Sequence, residues 1–99
     1  MFKQAIDTLM SGNMVSIRPK GHSMKGKISS GQLVTLSPIG PHDELLVGDI
    51  VLVKVHGNVY LHLILAINSN EFQIGNNKGH INGWTHRSKI YGRVIKIED

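Results

Sequence analysis

The sequence of 99 residues contains no cysteine. This absence excludes disulfide-stapled scaffolds, zinc sites built on thiolates and cysteine nucleophiles. No apolar run reaches the roughly 18 residues that a transmembrane helix needs. The first ten residues carry Lys3 and Asp7 and have no continuous apolar stretch of the kind found in secretory signals. We therefore expect a cytoplasmic protein with no membrane partner.

Aromatic residues are scarce, at 5% of the chain, so a base-stacking platform for single-stranded nucleic acid would be thin. Acidic residues are also in the minority. Eleven Lys and Arg outnumber seven Asp and Glu, which gives a net charge of +4 at pH 7. A nucleic-acid partner is compatible with this excess, but so is an ordinary solvated basic surface.

The chain is short but apolar enough to fold. Hydrophobic residues make up 40% of it and charged residues 18%, which is typical of globular domains. A chain of this length has room for one hydrophobic core. We expect a single domain over residues 1–99, with an N-terminal helix in residues 1–14 and a β domain over residues 15–97.

Alternation of apolar and polar residues after position 14 predicts a mostly β fold. Before it, Phe2 and Ile6 lie at helical spacing in residues 2–11 and Gly12 follows as a stop, which predicts one short helix. A turn at Gly57-Asn58 would join two strands into a hairpin. Short strands with turns between them indicate a small coiled sheet or barrel. The predicted strands are residues 15–17, 32–36, 50–55, 59–67, 72–74 and 90–97.

Residues 75–89, GNNKGHINGWTHRSK, form the longest stretch without periodicity and are expected to be a loop. Loops of this length are often functional. Lys78, Arg87 and Lys89 make the segment basic. Trp84 within it is either a hydrophobic plug that holds the segment, which we favour, or an exposed recognition residue.

The tetrapeptide Gly21-His22-Ser23-Met24 places a serine on a loop next to a glycine, where a substrate carbonyl can approach the backbone. A serine hydroxyl barely ionises at neutral pH, so as a nucleophile it needs a base within hydrogen-bond reach. It also needs N–H donors for the developing oxyanion, which the amides of this loop can supply. Without such partners, Ser23 is an ordinary turn residue.

The run GHSMKGKISSGQLVTLSP around Ser23 resembles the nucleophile signature of the S24/S26 superfamily of serine peptidases, which includes phage and SOS repressors and signal peptidases. Further segments resemble the family's other boxes in the same order, and together they cover residues 15–97. These segments are residues 48–53 (GDIVLV), 60–64 (YLHLI), 75–77 (GNN) and 92–94 (GRV). The resemblance implies a mostly β fold of coiled sheets and a bacterial or phage origin.

The same resemblance assigns roles to single residues. Ser23 would be the nucleophile, and the backbone around Met24 and Gly21 would bind the oxyanion and substrate. The family's base is a lysine in some members and a histidine in others, and His62 stands at that place here. Imidazole, with a usual pKa near 6.5, needs less tuning than a lysine to act as a base at neutral pH. Lys54, in the preceding strand, is the competing base.

Several positions depart from the family pattern. Gln32 and Asn76 replace its usual aspartates, and Leu63 replaces the arginine that commonly follows the base. No carboxylate occurs between Glu71 and Glu98. An acid that orients the histidine base is therefore missing from this part of the chain. By the resemblance, Asn82 and Asn76 are the candidates to take its place, as asparagine does in Cys-His-Asn enzymes.

The six histidines raise the question of a metal, but no two of them have helical ligand spacing. His80 and His86 share one segment and would leave a site short of ligands. We expect neither a metal nor a cofactor.

Two functions follow from these patterns. The first is a serine peptidase that hydrolyses a peptide bond of a peptide or protein substrate, with Ser23 as nucleophile and His62 as general base. The second is a catalytically inactive domain of the same fold that binds a protein or nucleic acid, or a DNA-binding partner protein, through its basic loops. Lys20, Lys25 and Lys27 flank Ser23 and would make its surroundings positive in either case.

Overall fold

A computed structural model describes residues 2–99, in which seven antiparallel strands form one sheet beside a single α-helix. In chain order the elements are α1 (Lys3–Met10), β1 (Val15–Ile17), β2 (Leu33–Pro38), β3 (Ile50–Val55), β4 (Asn58–Asn68), β5 (Glu71–Gly75), β6 (Ile81–His86), a 3-10 turn (Arg87–Lys89) and β7 (Ile90–Glu98). The prediction of a mostly β fold with one short helix is confirmed. Among the described residues, no helix is long and apolar enough to cross a membrane.

Helix α1 packs on the sheet through one apolar face. Its buried residues Ala5 and Leu9 join a cluster that includes Leu36 and Leu52 of the sheet. Eight residues are too few for a stable isolated helix, so this packing is what stabilises α1. Gly12 then adopts a φ of +90°, a left-handed conformation that ends a helix at little cost.

The order of strands is β1-β2-β7-β3-β4-β5-β6, so the last strand of the chain lies between β2 and β3. Both faces of the sheet carry buried apolar side chains because the strands alternate between two clusters. The first cluster, under α1, includes Val34, Leu36, Leu52, Leu61 and Leu63, and the second includes Val51, Val53, Ile64, Phe72 and Ile74. The sheet coils until β6 approaches β3, where the Thr85 hydroxyl donates a hydrogen bond of 2.9 Å to the Lys54 carbonyl.

The β3–β4 hairpin turns one residue earlier than the sequence predicts. Val55 pairs with Asn58, which leaves His56 and Gly57 as the two turn residues. Their φ angles are 50° and 85°, as a type I′ turn requires at both central positions. The predicted turn at Gly57-Asn58 is therefore wrong by one residue. The remaining predicted elements begin and end within two residues of their observed bounds.

The segment 75–89 is not one long loop, because residues 81–86 form strand β6. β6 pairs with β5 on one side and ends the order of strands on the other. Its alternation is hard to read in the sequence, since Ile81 and Trp84 are exposed and Gly83 interrupts the pattern. Trp84 is 42% exposed on this strand, so the expectation that it plugs a loop is wrong.

Candidate active site

Ser23 lies between β1 and β2 on the Ser23 turn (residues 19–31), whose two ends are joined by a hydrogen bond. The Gly31 amide donates to the Pro19 carbonyl at 2.9 Å, which closes the segment that contains the serine. Within it, the Met24 carbonyl accepts hydrogen bonds from Lys27 and Ile28. The side chains of Met24 and Ile28 are buried in the cluster under α1, whereas Ser23 is exposed. The apolar neighbours thus anchor the turn and leave the serine hydroxyl accessible.

Asn77, in the turn between β5 and β6, holds the Ser23 turn from the other side. Its backbone amide donates to the Ser23 carbonyl at 3.1 Å, and its side-chain amide donates to the Lys25 carbonyl at 2.8 Å. Gly26 allows this approach, because a Cβ there would lie 3.1 Å from the Asn77 side-chain nitrogen. The sequence gives a weak signal for this role in the GNN box, which points to Asn76 and Asn77 without distinguishing them.

His62 lies on β4 and is 7% exposed. Its Nε2 atom is 3.3 Å from the Ser23 hydroxyl oxygen. Within the described residues, the pairing of β4 with β5 begins at Leu63. On that side His62 therefore has no paired residue of β5, and its side chain contacts the Ser23 turn. A Ser–His contact of this length is typical of a resting dyad that tightens when substrate binds.

Asn82 holds the other nitrogen of the His62 ring, with its Oδ1 atom 2.7 Å from Nδ1. Asn82 is an unpaired bulge residue, since β5 pairs Ile74 with Gly83 and Gly75 with Ile81. A bulge changes the direction of the side chain of its extra residue, which here is Asn82. The amide oxygen only accepts, so Nδ1 carries the hydrogen and Nε2 presents a lone pair to Ser23.

Burial lowers the pKa of His62 below the usual value of 6.5. The hydrogen bond with Asn82 raises the pKa and so opposes this effect, and the positive charge of His80 lowers it further. The ring of Tyr60 also stacks on that of His62, with centroids 5.0 Å apart and an angle of 19° between the planes. His62 is therefore a neutral, oriented imidazole at pH 7, which is the state a general base requires.

The two predicted oxyanion residues differ in the structure. The Gly21 amide donates to the Ser30 hydroxyl at 3.2 Å, whereas Gly21 itself lines the cleft beside Ser23. The amides of Ser23 and Met24, by contrast, meet no hydrogen-bond acceptor among residues 2–99. These two N–H groups adjoin the Ser23 hydroxyl in sequence and are available as hydrogen-bond donors.

Two other candidates lie outside the dyad. Lys54 pairs with Val59, three positions from His62, so alternation places its side chain on the opposite face of the sheet. The Asn76 side chain accepts hydrogen bonds from the amides of Lys78 and His80 at 2.8 and 3.0 Å. Asn76 therefore shapes its own turn and does not orient His62.

Arg87 and the lysines near Ser23 have different surroundings. Arg87 donates to the carbonyls of Gly40 and Asp43 at 2.8 and 2.6 Å, so it holds the loop before β3 and is not a free cation. The lysines near Ser23 are exposed: Lys20, Lys25, Lys27 and Lys78. Across residues 2–99, no three His, Asp or Glu side chains converge as metal ligands would.

Comparison of the sequence with protein-family models and with curated proteins gave no match in either case. The function is therefore inferred from the geometry around Ser23 and from the resemblance of its motifs.

Proposed function

We propose that this protein is a serine peptidase that hydrolyses a peptide bond with Ser23 as nucleophile and His62 as general base. The observation that carries the proposal is the position of one buried imidazole between two side chains. Nε2 faces the Ser23 hydroxyl at 3.3 Å, and Nδ1 faces the Asn82 amide oxygen at 2.7 Å. Nucleophile, base and orienting group are thus arranged in series, as nucleophilic catalysis requires.

The reaction follows from the roles of these groups. His62 Nε2 takes the hydroxyl proton of Ser23 while the serine oxygen attacks the carbonyl carbon of the substrate. The amides of Ser23 and Met24 stabilise the negative charge on the carbonyl oxygen. His62 then gives its proton to the leaving nitrogen, the C–N bond breaks, and an acyl-enzyme forms. Water, activated by the same imidazole, hydrolyses this ester and restores Ser23.

The resemblance to the S24/S26 superfamily supports the proposal together with the geometry. The residues of its nucleophile box and of its base box, Ser23 and His62, are distant in sequence but adjacent in space. The box at residues 75–77 contributes Asn77, which holds the Ser23 turn. The mostly β sheet with one short helix agrees with the fold class that the resemblance implies.

Covalent labelling with a fluorophosphonate, followed by intact-mass analysis, tests this function. We expect one adduct on Ser23 in the wild type, none in Ser23→Ala, and a rate at least about 100-fold lower in His62→Gln, because loss of the base removes general-base catalysis. Ser88→Ala, which removes an exposed serine of the 3-10 turn, is the matched control and should label normally.

The absence of an adduct on folded wild-type protein would contradict the peptidase. The function to test next would then be the inactive binding domain. Its signature is binding to DNA that weakens steeply with salt and is insensitive to Ser23→Ala.

A further inference from the structure

Four lysines lie on the two turns that meet at Ser23, the Ser23 turn and the turn between β5 and β6. We call them the lysine collar: Lys20, Lys25, Lys27 and Lys78. All four side chains are exposed. Neither turn contains an aspartate or a glutamate. The surroundings of the serine are therefore positively charged and carry no acid of their own.

Asn77 brings the two parts of the collar together. Its side-chain amide donates to the Lys25 carbonyl at 2.8 Å, and Lys78 is the next residue in the chain. Lys20, near the start of the Ser23 turn, lines the same cleft as the two side chains of the dyad. Positive charges from both turns thus lie close to the position of a bound substrate.

The charges of the collar are not neutralised within the protein. The ion pairs among residues 2–99 are Arg93 with Asp49 and Lys96 with Glu98. No collar lysine takes part in either pair, and the side-chain hydrogen bonds that hold the two turns do not use a lysine ammonium group. The repulsion among these like charges is relieved only when a ligand supplies negative charge.

The type of basic residue favours the carboxylates of a peptide over the phosphates of a nucleic acid. Arginine is the residue that binds phosphate best, because its planar group offers two parallel donors. The arginines of this chain donate instead to backbone carbonyls: Arg18 to Gly31, Arg87 to Gly40 and Asp43, and Arg93 to Glu44. The collar contains only lysines, whose compact charge on a flexible stem attracts a carboxylate without a fixed geometry.

The geometry of the chain limits how far from the scissile bond the collar acts. Consecutive Cα atoms lie about 3.8 Å apart, so the Cα atoms of Ser23 and Lys25 are at most about 7.6 Å apart. An extended peptide advances about 3.3 Å per residue. When the scissile carbonyl is at Ser23, substrate side chains about two or three positions away therefore come within reach of Lys25.

We propose that the lysine collar binds acidic side chains of the substrate, so that the enzyme cleaves peptides with Asp or Glu within about three residues of the scissile bond. The proposal rests on the peptidase function proposed above and names the class of peptide that the enzyme cleaves. Attraction to the collar also increases the rate at which an acidic peptide reaches Ser23. Because salt screens exposed charges, it should weaken the selection between acidic and neutral peptides.

Binding to the Ser23→Ala protein tests the collar separately from catalysis. N-acetyl hexaglutamate amide and the matching hexaglutamine peptide are titrated at about 20 mM NaCl while backbone amide NMR signals are followed. We expect hexaglutamate to bind about tenfold or more tightly, with saturable shifts around Lys25 and Lys78, because several weak ion pairs add up. At about 300 mM NaCl the difference should shrink several-fold. Equal binding of the two peptides at low salt would overturn the proposal.

Charge reversal at single lysines provides the matched comparison. Lys25→Glu and Lys78→Glu should each lower the affinity for hexaglutamate, relative to hexaglutamine, about fivefold or more. Lys89→Glu changes the net charge of the protein by the same amount at an exposed position of the 3-10 turn, at the far end of β6 from Lys78. It should keep the ratio within about twofold of that of the parent protein. Equal losses in all three variants would contradict the collar, since net charge alone would explain them.

Active wild-type protein, a mixed peptide library and a DNA oligonucleotide complete the test. Cleavage that depends on Ser23 and is enriched for Asp or Glu near the cut supports both proposals. Cleavage that depends on Ser23 without this enrichment overturns the collar and retains the peptidase. Binding of hexaglutamate without any labelling of wild-type Ser23 overturns the peptidase, and with it the role of the collar in substrate selection. Binding of the oligonucleotide that is tighter than that of hexaglutamate and is lost in Lys25→Glu would assign the collar to nucleic acid and overturn the proposal.

Discussion

The amide oxygen of Asn82 lies 2.7 Å from Nδ1 of His62 and thereby determines which imidazole nitrogen faces Ser23. An aspartate in this position would fix the same tautomer and would also stabilise the imidazolium that forms when Ser23 gives up its proton. An asparagine provides orientation without charge. For the peptidase that we propose, the site therefore orients the base but lacks one electrostatic contribution.

Replacing Asn82 with aspartate should accelerate the labelling of Ser23. The carboxylate keeps the hydrogen bond to Nδ1 and adds a negative charge next to the developing imidazolium. A charged hydrogen bond is stronger than a neutral one by about 1 kcal/mol, so the rate at pH 8 should rise roughly fivefold or more. The measurement is the rate of fluorophosphonate labelling by intact mass.

Asn82→Leu provides the opposite change, since it keeps the size of the side chain and removes the acceptor. We expect labelling about 10- to 100-fold slower, from the loss of a hydrogen bond to the charged imidazolium. Asn70→Asp, in an exposed turn, controls for the added charge. Equal rates in the wild type, Asn82→Asp and Asn82→Leu would show that His62 does not depend on Asn82.

The rate of Ser23 labelling should fall on the acid side with a midpoint below pH 6.5. Burial lowers the pKa of His62 from that value, and only the neutral imidazole accepts a proton. His80→Gln removes a positive charge that lowers the pKa of His62, so its midpoint should move to higher pH. Labelling rates measured from pH 4.5 to 8.5 give both midpoints. A midpoint above 6.5 in the wild type would contradict the lowered pKa of His62.

The lowered pKa also predicts how stability depends on pH. In the unfolded chain His62 binds a proton near pH 6.5, whereas in the folded protein it does so only at lower pH. The unfolded state therefore takes up protons first, and stability is lost as the pH falls from about 6.5 through the folded pKa. The Tm of the wild type should thus fall more between pH 7.5 and pH 5 than that of His62→Gln. Parallel losses in both proteins would assign the effect to other groups.

The motifs predict that Ser23 and His62 lie together, and the structure places their side chains in contact, but the sequence does not predict the bulge that supports this contact. Ser23 and His62 each stand in a short segment that resembles a motif of the S24/S26 superfamily. The contact between His62 and Asn82 depends on a bulge in β6. A bulge cannot be recognised from sequence in a segment whose apolar and polar residues do not alternate. An edge strand with an exposed Trp84 and a glycine in its middle resembles a loop when it is read by periodicity.

The asparagines show the same limit. Residues 76, 77 and 82 are all asparagine and lie close together in sequence, but each has a different hydrogen-bond partner in the structure. Asn76 shapes a turn, Asn77 holds the serine, and Asn82 holds the histidine. Which amide reaches which atom is determined by tertiary packing, and residue type alone cannot assign it.

Asn77→Ala should slow Ser23 labelling without changing its pH midpoint. The substitution removes the hydrogen bond to the Lys25 carbonyl, which contributes about 0.5–1.5 kcal/mol, and retains the backbone bond to Ser23. A looser turn places the hydroxyl correctly less often, so the rate should fall about 2- to 10-fold. His62 keeps its surroundings, so the midpoint should not move. A shifted midpoint would indicate that Asn77 acts through His62 and not through the turn.

Gly75→Ala should destabilise the fold and disturb the site together. Gly75 has no left-handed φ, so the cost is steric: a Cβ there would lie 2.5 Å from the His80 carbonyl oxygen and against the Leu65 side chain. That carbonyl accepts the Asn76 amide, so the clash pushes on the turn that carries Asn77. Overpacking of this kind costs about 1–3 kcal/mol, and in a domain of this size each kcal/mol lowers Tm by roughly 4–8 °C.

Gly40→Ala is the matched control for this substitution. Gly40 also has no left-handed φ, and the nearest atom to an added Cβ is Asp43 Oδ2 at an ordinary 3.5 Å. Its Tm and its Ser23 labelling should equal those of the wild type, while Gly75→Ala loses both stability and labelling rate. If Gly75→Ala lowers Tm but labels at the wild-type rate, the turn of residues 76–80 does not position Ser23. The clash with the His80 carbonyl acts on this turn, and the turn is hydrogen-bonded to Ser23 through the Asn77 amide.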